Sequence, residues 1–161
     1  MASYRRVLRL APEMAAYVAG LIDGEGTVTL SRHHARENRR LVISVANTEL
    51  RLLEVLVEAA GAGRITRKRT TSERHAPSFC YAIWSRQALD LLRQITPYLR
   101  SYKRQRAEIA LARYCALTPR NGRYTPVLRA ARAAFEAELL GVTAGSPGRA
   151  APRTLATTRR D

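Results

Sequence analysis

The spacing of apolar and polar positions divides the chain into helical and extended segments. Residues 12–23 form an apolar run opened by Pro12, which suits the first turn of a helix. From Thr27 to Ser31 the period switches to two, with Val28 and Leu30 on one face and hydroxyls on the other. Residues 33–40 are polar and predict a hairpin connection to a second strand over 41–46, which turns Leu41, Ile43 and Val45 to the core. Asn47 or Thr48 is placed to cap a second helix, and Gly61 to stop it. Within that helix Leu53, Leu56, Val57 and Ala60 fall at i, i+3, i+4 and i+7. A basic strand over 64–69 and a polar loop through Pro77 follow. In a fourth strand Phe79, Tyr81 and Ile83 then alternate with Ser78, Cys80 and Ala82. Ser85 is placed to cap a third helix carrying Leu89, Leu92 and Ile95. Pro97 predicts a break and 103–117 another helix, before a loop over 119–125. Pro126 opens a last helix marked by Leu128, Ala131, Phe135 and Leu139.

This order of elements predicts an α+β domain with a four-stranded antiparallel sheet and extra C-terminal helices. The length of 161 residues suits one domain, assigned to 1–140. From Gly141 the composition shifts to Gly, Ser, Pro, Ala, Thr and Arg, which predicts a basic tail over 141–161 without fixed structure, its Arg149, Arg153, Arg159 and Arg160 available to phosphates. Charge changes the picture more than composition does. With 28 Lys and Arg against 13 Asp and Glu, the net charge of +15 favours a polyanion, nucleic acid ahead of a membrane surface. Charged residues interrupt every apolar run short of transmembrane length, so no membrane partner is expected. Arg5, Arg6 and Arg9 precede an apolar stretch without a cleavage region, so they read as a basic arm and not a secretion signal. Cys80 and Cys115 lack Cys-x-x-Cys spacing and the three histidines are sparse, which argues against zinc and fits a reducing cytoplasm or organelle matrix.

In so basic a chain, two carboxylates each followed by glycine need an explanation. Ala16, Gly20 and Gly24 recur at i, i+4 and i+8, a ridge without side chains that lets a second helix approach closely. Asp23 and Glu25 emerge together at its end. Taken alone, these residues also suit a core helix ending at a glycine-rich turn with two solvated acids. The run Val18-Ala19-Gly20-Leu21-Ile22-Asp23-Gly24-Glu25-Gly26, however, resembles the signature of the LAGLIDADG homing endonucleases, in which paired motif helices deliver one acid each to a metal site. The resemblance covers roughly residues 12–117 in element order, αββαββα. No second copy of the motif appears, so the resemblance implies a homodimer with Ala16, Gly20, Asp23 and Gly24 at the interface. It also implies Glu25 as metal ligand, the Gly24 carbonyl as a second ligand, and two or three Mg²⁺ ions shared across the dimer, with Mn²⁺ as substitute. Glu25 stands where many relatives have Asp, which lengthens the reach to the metal. Asn47 matches a peripheral polar position loosely. Lys103 resembles the basic active-site residue, with Arg100 as the competing alignment.

The polar strand faces supply the recognition chemistry. Thr29, Ser31 and His33 alternate on one strand, Arg40 and Ser44 on the next, and Arg64, Thr66 and Lys68 on a third. A ribbon bearing such residues fits the major groove, where base edges show a distinguishable donor and acceptor pattern. Arg40 and Arg64 are candidates for bidentate guanine contacts, and Lys68 for a phosphate. For any single arginine a solvated surface position is an equal reading. The resemblance implies a site-specific double-strand DNA endonuclease of intron or intein mobility. Its target would be long and near-palindromic, and its metal-dependent hydrolysis would leave short 3′ overhangs. A non-catalytic DNA-binding regulator and an RNA maturase are the other readings on the same fold. A basic structural RNA-binding protein would leave the ridge and the acids unexplained.

Overall fold

The computed structural model describes residues 6–68 and 76–146. Helix α1 (Pro12–Glu25) leads into β1 (Gly26–Ser31) and β2 (Arg40–Asn47). Helix α2 (Leu50–Ala60) precedes β3 (Arg64–Arg67) and β4 (Phe79–Trp84), followed by α3 (Ser85–Ile95), a 3-10 turn (Thr96–Tyr98), α4 (Lys103–Arg113) and α5 (Pro126–Gly141). The sheet is antiparallel throughout in the order β1-β2-β4-β3. This is the α+β arrangement that the residue pattern predicts.

The alternation sorts the sheet into two faces. Val28, Leu30, Leu41, Ile43, Val45, Tyr81 and Ile83 are all buried, and they form one core with Val18 and Ile22 of α1, Leu53 and Leu56 of α2, and Leu89 and Leu92 of α3. Each large aliphatic removed from water stabilises the fold by about 1.5–3 kcal/mol. Helix α2 stops where expected, because Gly61 takes the left-handed conformation at φ 61° and its N–H returns to the Val57 carbonyl. The two sheet edges are protected differently. At β1, the Arg106 guanidinium donates to the Val28 carbonyl at 3.0 Å and to the Val142 carbonyl at 2.8 Å, so α4 and the end of α5 close that edge. Edge strand β3 instead exposes Arg64 and Arg67, charges that discourage further strand pairing.

Several sequence expectations are corrected by tertiary partners. Helix α1 runs past Asp23 to Glu25. Ser85 does not cap α3: it is the first helical residue, at φ 53°, where the chain turns sharply out of β4. Helix α4 ends at Arg113 and not at 117, and the Leu117 carbonyl instead accepts from Arg132. On α5 it is Arg132 that is buried, at 3% exposure, while Ala131 is exposed. The Arg132 guanidinium stacks 5.2 Å from Tyr114 and 5.4 Å from Phe135, and it donates to Glu136, Thr118 and the Arg39 carbonyl. With its donors so occupied, a buried charge is tolerable, and it ties the β1–β2 connection to the last helix. Packing continues past residue 140, since Val142 is 6% exposed. The expected tail arginines at 149, 153, 159 and 160 lie outside the described residues, as do Arg5 and Arg69. Among the described residues no helix is long and apolar enough to cross a membrane.

Candidate active site and nucleic-acid face

No linker separates α1 from β1. The Gly26 N–H donates to the Ile22 carbonyl, and a Cβ at Gly26 would lie 2.7 Å from the Ile22 Cα, so only glycine fits this joint. Asp23, Gly24 and Glu25 are thereby fixed at the end of the sheet.

The last carbonyls of a helix lack intrahelical donors and carry its negative end. Lys103 meets them here: its Nζ donates to the Ile22 and Asp23 carbonyls, both at 2.8 Å, and the residue is 6% exposed. Burial lowers the Lys103 pKa from its ordinary value, and the nearby Asp23 and Glu25 carboxylates oppose that shift. Of the two competing basic positions, Lys103 brings its side-chain charge to the motif. Arg100 offers its backbone N–H, which donates to Asp23 Oδ2 at 2.7 Å.

Asp23 faces its own chain. Its Oδ1 accepts from the Ser101 N–H at 3.2 Å and from Ser101 Oγ at 2.5 Å, so this carboxylate holds the turn that leads into α4. Asp23→Ala strips the acceptor from two backbone N–H groups and is expected to lower the unfolding free energy by about 2–4 kcal/mol. Asp23→Asn, which keeps one acceptor oxygen, should cost roughly half of that. Urea unfolding measures both, and a loss below about 0.5 kcal/mol for the alanine variant would show that the turn holds without its acid.

Glu25 and Gly24 remain exposed beyond this latch, and among the described residues the Glu25 carboxylate makes no ion pair or hydrogen bond. Asn47 lies at the same sheet end, two residues past Val45, the partner of Gly26. Its Oδ1 accepts from the Glu49 N–H at 2.8 Å at the entry to α2. Ala16, Gly20 and Gly24 form an exposed stripe along α1, flanked by Tyr17 at 43% exposure. Among the described residues outside its own helix turns, no atom lies within 4 Å of a Cβ position at Gly20 or Gly24, so they leave the ridge uncovered. The donor chemistry fits a hard divalent cation: one free carboxylate beside helix-terminal carbonyl oxygens. It is also incomplete, since among the described residues no group of three or more His, Cys, Asp or Glu could hold a metal.

The sheet face opposite the core carries most of the expected recognition residues in register. Thr27, Ser44, Ala82 and Arg64 form one row, Thr29, Val42 and Trp84 the next, and Ser31 pairs with Arg40. Thr66 shares this face beside Cys80. Two expected positions leave the strands. His33 lies beyond the end of β1, where Arg32 turns back to the Ala35 carbonyl, and Lys68 lies beyond β3, with its N–H on the Ser78 carbonyl. Thr27 and Trp84 belong to the face and were missing from the expected set. Trp84 could be found by carrying the alternation of Cys80 and Ala82 one step further.

A family model described as a LAGLIDADG-like domain matches residues 12–105. The fold is similar to the homing endonuclease I-CvuI in complex with its target, at 18% identity over 87% of each chain with a TM-score of 0.66. It is also similar to the archaeal intron-encoded homing endonuclease I-Vdi141I complexed with DNA, at 16% identity over 85% of this chain and 88% of that one, with a TM-score of 0.57. The LAGLIDADG homing endonuclease I-LtrWI bound to target DNA matches 86% of this chain at 15% identity and a TM-score of 0.58, but only 48% of its own length is covered. No curated protein sequence matches the chain.

Proposed function

Since the chain belongs to the LAGLIDADG-like domain family, we propose that it is a site-specific double-strand DNA endonuclease that works as a homodimer. The observation that carries this reading is the free Glu25 carboxylate at the end of an uncovered, side-chain-free helix ridge, half of a site that a second copy would complete. Two-fold symmetry then asks for a long, near-palindromic target with two related half-sites. Nearly the whole length of I-CvuI is covered by this chain, but about half of I-LtrWI, which supports a unit that acts in pairs.

In this reading Glu25 and the Gly24 carbonyl of each protomer hold divalent ions, two or three across the dimer, Mg²⁺ with Mn²⁺ as substitute. When bound, such ions supply an activated water and charge stabilisation on the leaving oxygen. The chain's own residues prepare the place for them. Lys103 occupies the carbonyls of Ile22 and Asp23 and Asp23 grips the turn before α4, so the acid after them is aimed by rigid elements. Lys103 thus contributes its charge from behind the helix end, and Asn47 stands at the margin. Thr29, Ser31, Arg40, Ser44, Arg64 and Thr66 read the major groove, with His33 and Lys68 reaching flanking backbone from the loops. Each cut would leave a short 3′ overhang.

Cleavage selection tests this directly. Purified protein and Mg²⁺, incubated with a randomised library of long near-palindromic duplexes, should yield ends that share one long motif. Enrichment of bound duplexes without any cut would favour a regulator, and enrichment from a parallel pool of structured RNA, with none from the duplexes, a maturase.

A further inference from the structure

Arg64 pairs with Ala82 across β3 and β4, and Trp84 is the next residue on the same face of β4. Diagonal neighbours of this kind lie within reach of a long side chain and an aromatic one. The Arg64 guanidinium carbon sits 4.9 Å from the centroid of the Trp84 ring. Trp84 is half-buried, its strand partner Val42 is 7% exposed, and the ring sits on a firm base, whereas Arg64 stands on the exposed edge strand.

Stacking uses the flat face of a guanidinium and leaves its in-plane N–H groups to other partners. Among the described residues, those of Arg64 make no hydrogen bond or ion pair. An arginine on a bare strand would lose much rotamer freedom on binding, while one already laid against a ring loses less. The in-plane fork matches the O6 and N7 acceptors of guanine in the major groove.

We propose that Trp84 is a specificity-determining residue that acts through Arg64, holding its guanidinium as a preset reader of one guanine in each half-site. This rests on the DNA-reading role of the sheet proposed above. Trp84 touches no base in this arrangement; it positions the group that does.

Trp84 is the sole tryptophan of the chain, so its fluorescence reports the stack directly. In the free protein Arg64→Ala should shift Trp84 emission, and unchanged emission overturns the stack. Binding selection on randomised duplexes provides the second readout. The wild type should prefer G·C at one symmetric position by roughly tenfold or more, the size of one bidentate pair. Arg64→Ala should erase that preference. Trp84→Leu should reduce it to about threefold or less while leaving preferences elsewhere in place, and Trp84→Phe should retain most of it. Selection by Trp84→Leu identical to wild type overturns this proposal alone. Absence of any sequence selection by the wild type overturns it together with the endonuclease reading. Thermal melting of each variant separates these outcomes from misfolding.

Discussion

Glu25→Gln is expected to abolish cleavage and to leave DNA binding intact or tighter. Among the described residues the carboxylate makes no hydrogen bond or ion pair, and it acts on Lys103 only through its charge, so the melting temperature should move little. What disappears is one of the few negative charges in a protein of net charge +15, placed where phosphates must approach. An amide of the same shape keeps the volume and removes the charge that holds a divalent cation. Residues that merely orient metal ligands cost about 10–100-fold when removed, so loss of a ligand itself should exceed about 100-fold in cutting rate. Single-turnover cleavage with Mg²⁺, beside gel-shift binding without metal, measures both quantities. Cutting within tenfold of wild type would take Glu25 out of the site.

Gly20→Leu separates folding from assembly. Among the described residues outside its own helix turns nothing lies within 4 Å of the position, and leucine is the better helix former by about 0.5–1 kcal/mol, so the protomer should melt no lower than wild type. In the proposed dimer the same side chain would stand where two backbones meet. Dimer dissociation should strengthen by about 100-fold or more, the cost of an overpacked contact of roughly 3 kcal/mol, and cutting should fall with it. Sedimentation velocity across a concentration series reads the result. A dimer of unchanged affinity would move the interface away from α1.

The strands were legible because strand alternation is a local code. Val28, Leu30, Leu41, Ile43, Tyr81 and Ile83 all point where their spacing says, and the register places Thr29, Ser44 and Arg64 on the opposite face. The stop at Gly61 was legible for the same reason, since a left-handed turn is a property of one residue. Features that depend on distant partners were not. Nothing near Arg132 announces that an arginine is buried in place of Ala131, because the carbonyls that accept it belong to residues 39 and 117. His33 continues the polar period of β1, yet the turn closed by Arg32 ends the strand before it. Asp23 reads as an interface acid from its motif, and nothing near it in the sequence announces its bonds to the Arg100 and Ser101 N–H groups. The exposed position of Glu25 was legible from the glycine-rich helix end alone, whereas its metal-binding role follows only from the family likeness.

The latch between the motif and α4 joins residues 77 to 81 positions apart in the chain. Contacts of such separation form only after the intervening chain is in place. During synthesis, a polypeptide that has emerged only as far as β4 already displays Asp23 and Glu25 but lacks Ser101 and Lys103. Its acids are present without the parts that aim them. On the proposed reading, competence to cut would therefore arrive late in translation, after the sheet has been made, and a product lacking α4 would carry the motif without the turn and the lysine that hold its end.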